Sequence, residues 1–267
     1  MAIRGAAMTE ATTNRTPTIS VRNLRKKFRV SNAAIGGLKT LLLWWKKRSV
    51  REFEVLKGLD FDCYPGECVS VIGRNGAGKS TLLAILARVY RQTSGEVKVN
   101  GRIAPLLELG AGFHPDLTGM ENIIFNGVVL GLSRKQIRER IPQIIEFSEL
   151  GDSINSPVRS YSSGMLARLG FAVAIHVDAD ILLVDEVLSV GDYAFEQKCY
   201  DRVDRFRKEG GTILMVSHNL QAVERFSDRC VWLKDGQMVM SGLPDDVLAA
   251  YLSDQASAQA EETSTPD

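Results

Sequence analysis

The sequence predicts an α/β protein, in which short buried strands alternate with helices and one run of helices interrupts them. Three observations predict it. A glycine-rich loop, Gly73-Arg74-Asn75-Gly76-Ala77-Gly78-Lys79-Ser80, follows an apolar run at 69–72 and opens a helical run at 79–90. A second apolar run, 181–184, ends in two adjacent carboxylates, Asp185 and Glu186, and a third, 212–217, ends at His218. Apolar runs of this length, bounded by turn residues, read as strands covered on both faces. Between the first and second of them, 116–176 reads as mostly helical.

Taken in order, residues 1–17 are small and polar, lack the apolar core of a signal peptide, and are expected to be disordered. A strand begins near Ile19 and carries Phe28, and the next strand is expected at Leu59. The connection between them is longer than compact domains normally use, so it reads as functional or disordered. Within 35–51, Leu38, Leu41, Leu42 and Trp45 fall at i, i+3, i+4 and i+7. Lys39, Lys46, Lys47, Arg48 and Arg51 surround them, and Trp44 and Trp45 stand at the apolar–basic junction. A basic amphipathic helix of this kind suits an anionic membrane surface. An ordinary packed helix and a basic nucleic-acid patch are the alternatives, and the second is weakened because the basic run is short and isolated. Further on, Ser133 and Gln136 form a capping box for a helix bearing Ile137, Ile141, Ile144 and Ile145, with Pro142 as a kink position. The segment Tyr161-Ser162-Ser163-Gly164-Met165 opens a helix at 163–176, and 178–240 returns to alternating strands and helices. The tail at 253–267 is rich in Ala, Ser, Thr and Glu and is expected to be disordered.

The chemistry follows from residue types and spacing. A strand, a G-x-x-x-x-G-K-[ST] loop and a helix together make a phosphate cradle. Glycines let successive backbone N–H groups face the phosphates, and the helix N-terminus adds positive potential. Gly73, Asn75, Gly76, Ala77, Gly78 and Thr81 belong to this cradle; Lys79 is expected to reach the β- and γ-phosphates, and Ser80 to hold Mg²⁺ with Asp185. Glu186 suits the general base that deprotonates an attacking water, and His218 is placed to meet the γ-phosphate or that water.

In this combination the residues resemble the ATP-binding-cassette ATPases over about 19–252. The resemblance implies a P-loop NTPase core of the RecA-like, cassette type, with an antiparallel β portion and an inserted α-helical subdomain at 113–176. It implies ATP and Mg²⁺ as ligands. It also implies a homodimer in which Ser162, Ser163 and Gly164 of one copy complete the γ-phosphate site of the other. Ser189-Val190-Gly191-Asp192 resembles the loop that crosses that dimer, so Asp192 joins the nucleotide set. Phe28 fits the aromatic that stacks on adenine. The common signature Leu-Ser-Gly-Gly-Gln is here Tyr161-Ser162-Ser163-Gly164-Met165, and the usual glutamine after the middle strand is missing. Glu108 or Leu109 stands near its place, and Glu108 is the candidate metal or water sensor. These spellings, with Leu-Thr-Gly-Met-Glu-Asn at 117–122, are similar to the polysaccharide-export branch of the family. That likeness implies two membrane channel subunits as partners, contacted near 113–118, and a lipid-linked glycan moved through them. Only about fifteen residues follow Leu252, too few for the sugar-binding sandwich that some members append, so glycan recognition is expected in the membrane partner or through the lipid carrier.

Composition limits the alternatives. A formal net charge of +1 offers no global argument for nucleic acid. No apolar stretch reaches the ~20 residues that span a bilayer, and without a signal-peptide core the chain is expected to stay cytoplasmic; the resemblance implies a peripheral place on the cytoplasmic face of the cell membrane. Cys63, Cys68, Cys199 and Cys230 show neither zinc spacing nor a disulfide framework and are expected to be reduced thiols. A cassette ATPase exporting a drug, peptide or small lipid is the next reading. A soluble ATPase acting on nucleic acid or ribosomes is a further one, for which the paired cassettes or long coiled coil are missing.

Overall fold

The computed structural model describes residues 15–31, 50–107, 109–110, 112–185 and 191–263. Residues 35–49 of the amphipathic region, Glu108, Glu186, and Ser189 and Val190 therefore lie outside the described residues.

Two sheets organise the chain. The first is antiparallel, in the order β2-β1-β4, from β1 (Ile19–Ser31), β2 (Val50–Cys63) and β4 (Ser94–Val99). The second runs β5-β6-β7-β3-β8-β9, from β3 (Cys68–Ile72), β5 (Ile103–Leu106), β6 (Ile181–Asp185), β7 (Thr212–Val216), β8 (Arg229–Lys234) and β9 (Gln237–Gly242). Its first five members pair in parallel and β9 closes the edge antiparallel to β8.

The all-apolar strands are explained by layers on both faces. In β3, Cys68 and Ile72 pack into one core while Val69 and Val71 pack into the other. β6 divides the same way, with Leu182 and Val184 opposite Ile181 and Leu183. The first core is covered by α4 (Ser163–Ile175), α5 (Tyr193–Lys208), α6 (Leu220–Phe226) and α7 (Pro244–Thr263). The second lies between the two sheets and holds α1 (Lys79–Leu86). A third core, around Ile123, Ile137, Ile144 and Leu169, joins α2 (Gly119–Val129), α3 (Arg134–Ser148) and α4.

Helix starts agree with the sequence. Ser133 and Gln136 form the capping box of α3, and Ser162 accepts from Met165 N–H to cap α4. Thr118 and Glu121 form a second capping box at α2. The α3 helix runs through Pro142 without ending.

Three expectations need correction. The strand expected at Leu59 begins at Val50, so residues 50 and 51 of the proposed amphipathic region belong to β2. Long β1 supplies the partner: Arg29 and Glu52 pair at 2.6 Å and Phe28 lies opposite Phe53. The helix expected at 79–90 stops at Leu86, because the chain turns through a left-handed Arg88. The tail is not disordered from 253, since α7 continues to Thr263. Val247, Leu248 and Tyr251 are buried and anchor its first turns, each aliphatic contributing roughly 1.5–3 kcal/mol. The Ala, Glu and Gln that suggested disorder are good helix formers once such a nucleus exists.

All four cysteines are buried, free thiols. Burial pushes Cys68, Cys199 and Cys230 up to about 12, so they stay protonated and inert at neutral pH. Among the described residues, no helix is long and apolar enough to cross a membrane.

Candidate nucleotide site

The glycine-rich loop joins the carboxyl end of β3 to α1, the crevice at which parallel sheets bind ligands. Its shape needs glycine. Gly73 has φ +151°, and a Cβ there would collide with the Leu233 carbonyl oxygen. Gly78, at φ +102°, would set a Cβ 2.6 Å from Leu56 Cδ2. The loop therefore lies close against β2 and β8, where only glycine fits.

Above the loop is a cavity of about 740 Å³. Asn75, Gly76, Gly78, Lys79, Ser80 and Thr81 line it from the loop and α1, Asp185 from the end of β6, and His218 from beyond β7. Gly73 and Ala77 are part of the same loop without lining the cavity. Parallel pairing of β6 with β7 and of β7 with β3 is what brings these ends together.

The Lys79 side chain is buried, and its ammonium donates to the carbonyls of Gly73 at 2.7 Å and Arg74 at 3.0 Å. Burial lowers its pKa, while nearby Asp185 opposes that. Burial, then the charge of Lys79, also lowers the His218 pKa, again against Asp185. A neutral imidazole at pH 7 follows. The donor set fits Mg²⁺: one hydroxyl, Ser80, and one carboxylate, Asp185, line a single polar cavity. Mg²⁺ takes few protein ligands and completes its shell with phosphate oxygens and water.

A second cavity of about 640 Å³ adjoins the first and shares Ser80, Thr81, Leu107 and Asp185 with it. Phe28 lines this second cavity and not the first. The ring that lines the phosphate cavity is Phe53, which stacks on Phe28 with centroids 5.8 Å apart and is half exposed. Sequence reasoning missed Phe53, because the strand was expected to start after it. Its place opposite Phe28 is set by the pairing of β1 with β2, which no local pattern displays.

Ser162, Ser163 and Gly164 do not line the cavity of their own chain, and neither does Asp192. Asp192 instead caps α5 by accepting from Phe195 N–H at 3.0 Å. Its carboxyl is held below the usual range by that hydrogen bond and by Arg168.

The comparisons follow this geometry. The family model for ABC transporters matches residues 56–189. An O-antigen export system ATP-binding protein of Klebsiella pneumoniae is 46% identical over 88% of this chain and 97% of its own length. The chain belongs to the ABC transporter family. A protein of the same name from Myxococcus xanthus is 48% identical over 79% of this chain, which spans only 49% of it. A teichoic acids export ATP-binding protein of Shouchella clausii is 41% identical over 88% of this chain and 65% of its own length. These relatives put the cassette in the polysaccharide-export branch. The solved ATP-binding subunit of an ABC transporter superposes with a TM-score of 0.71 at 22% identity, over 88% of this chain and 93% of its own. A dimeric cassette in a post-hydrolysis state with ADP and Pi gives 0.68 at 21%, over 85% of this chain and 98% of its own. At such identities the likeness concerns the fold. The cassette is of the ATPase type, with nucleotide as its substrate.

Proposed function

We propose that this chain is the ATP-hydrolysing subunit of an exporter that moves lipid-linked polysaccharide across the cytoplasmic membrane. The observation that carries the chemistry is the convergence of Lys79, Ser80, Asp185 and His218 on one cavity over a phosphate-binding loop. The cargo rests on the relatives named for O-antigen and teichoic acid export.

The residues act as follows. Backbone amides of the loop bind the phosphates, and Lys79 exchanges the Gly73 and Arg74 carbonyls for β- and γ-phosphate oxygens. Ser80 and Asp185 would hold Mg²⁺, which would supply neutralisation of phosphate charge. Glu186, next after the end of β6, takes the proton of a water. The water oxygen bonds to the γ-phosphorus as the bond to ADP breaks. His218 orients the water or the γ-phosphate. Phe53 and Phe28 together offer the ring surface for adenine. Two copies stack head to tail, so that Ser162, Ser163, Gly164 and Asp192 of each complete the partner's nucleotide site. The N-terminal turn of α4, capped by Ser162, then faces the γ-phosphate with the positive end of the helix. Closing and reopening drive two membrane channel subunits, and the chain sits peripherally on their cytoplasmic side. Glu108 remains the proposed metal or water sensor, and nucleic acid is not a partner in this reading.

The test is analysis of lipid-linked glycans in cells depleted of this chain, complemented with wild type or Glu186→Gln. The expected result is accumulation of lipid-linked polymer inside and its loss from the surface, restored only by wild type. Unchanged surface glycan overturns the cargo assignment. Normal ATP turnover by purified Glu186→Gln overturns the role of Glu186.

A further inference from the structure

Arg168 lies on α4, six residues beyond the capping Ser162, and its side chain is only 18% exposed. Both terminal nitrogens of its guanidinium are engaged. One arm donates to Glu149 at 3.0 Å and the other to Asp192 at 3.0 Å. The ring of Phe195 lies beneath it, 4.6 Å from the guanidinium carbon. These three contacts come from two places, the end of α3 and the start of α5. Glu149 ends α3 in a left-handed turn, Asp192 caps α5, and Phe195 is the residue whose N–H that cap receives. Glu149 is also held by Lys198 of α5 at 2.8 Å.

Gly191 makes the arrangement possible. It has φ +76°, and a Cβ there would stand 3.0 Å from Arg168 Nε. A side chain at 191 would be strained and would crowd the guanidinium. The absence of a side chain at Gly191 therefore leaves room for Arg168.

The energetics say what the contact is for. Glu149 and Asp192 are about half and two-thirds exposed, and ion pairs with exposed partners contribute little to stability. A planar fork gripping two carboxylates in fixed directions contributes geometry instead. The elements it joins are the helix opened by Ser162 and the loop ending at Asp192. In the head-to-tail dimer proposed above, on which this inference rests, both meet the second copy.

We propose that Arg168 is a positioning residue for the composite nucleotide site. It fixes the helix opened at Ser162 and the Gly191–Asp192 turn as one unit, so that a second copy of this chain receives both in register. Arg168 touches no nucleotide in this role. Its loss leaves the phosphate site of the single chain intact and weakens closure of the pair.

The test uses the full chain carrying Glu186→Gln as the parent, with Arg168→Met, Arg168→Gln and Arg168→Lys added singly. Affinity for a fluorescent ATP analogue is read on the monomer, thermal midpoint by melting, and ATP-dependent dimerisation by analytical ultracentrifugation. For Arg168→Met, the monomer affinity is expected to stay within about twofold and the dimer dissociation constant to rise at least about tenfold. Arg168→Lys, which keeps the charge but not the fork, is expected to fall between. Arg168→Gln carries the same test if the Met variant does not fold. A parent that dimerises with ATP beside Met and Gln variants that dimerise as tightly overturns this inference alone. A parent that stays monomeric with ATP overturns the dimer reading and this inference with it.

Discussion

Lys79 is a buried cation held by two carbonyls of its own loop. Such a group contributes little net stability, because burial of the charge offsets its hydrogen bonds. Lys79→Met is therefore expected to lower nucleotide affinity at least about tenfold while changing folding stability by under about 1 kcal/mol, checked by nucleotide titration and denaturant melts. The paired phenylalanines make a sharper test. Phe53 lines the phosphate cavity, whereas Phe28 stacks on Phe53 and meets Tyr90 edge-on at 5.5 Å. Phe53→Ala is expected to lower ATP affinity by about 1–2 kcal/mol, the scale of one base–ring stack. Phe28→Ala is expected to cost less affinity and more stability. The reverse order of affinity losses makes Phe28 the platform. Both substitutions rest on a register relation across 25 positions, which no local pattern in the sequence displays.

At the scale of elements, the segment before α4 is tied to the loop before α2. Val158 N–H donates to Leu117, Arg159 N–H to Pro115, and the Arg159 side chain pairs with Asp116 at 2.7 Å. Buried Asn122 holds the same loop by donating to the His114, Leu117 and Thr118 carbonyls and accepting from His114 N–H. Tyr161 closes the set: its hydroxyl donates to the Ser153 carbonyl at 2.6 Å, while Gly119 N–H donates to the Ser156 carbonyl. Tyr161→Phe is expected to cost about 1–2 kcal/mol in a denaturant melt, since it leaves the Ser153 carbonyl without that partner. The sequence marked Tyr161 only as a departure from Leu; the hydroxyl's partner explains what the departure does. At the far end of α4, burial lowers the His176 pKa, helped by Arg202, Arg140 and Lys198 and opposed by the Ala172 carbonyl that its ring bonds. The folded state then binds fewer protons than the unfolded one, so stability is present above the unfolded value near 6.5 and falls on acidification. The thermal midpoint of wild type is expected to drop between about pH 7 and 5.5 more steeply than that of His176→Gln.

For the whole molecule, the central expectation is an ATP-dependent dimer. Ser162, Ser163, Gly164 and Asp192 are absent from the cavity lining of their own chain, so one chain holds only part of the proposed machinery. Purified Glu186→Gln is expected to sediment as a dimer with ATP and as a monomer with ADP; a monomer in both states refutes the head-to-tail assembly. Much of the molecule could be read in advance, because the readable parts are local. The glycine loop, the capping residues Ser133 and Ser162, and the buried runs ending at Asp185 and His218 each carry their signal within a few residues. Backbone geometry and hydrogen bonding at that range depend on neighbours in the chain, so residue type and spacing suffice. Long-range packing set the rest. Pairing with β1 drew β2 back to Val50 and brought Phe53 to the cavity, and burial of Val247 and Tyr251 nucleated a helix through a composition that read as disordered. Arg168 became meaningful only when α3 and α5 delivered Glu149 and Asp192 to its two arms. Those contacts join residues 19 and 24 positions apart, and their energy exists only after the chain has closed on itself.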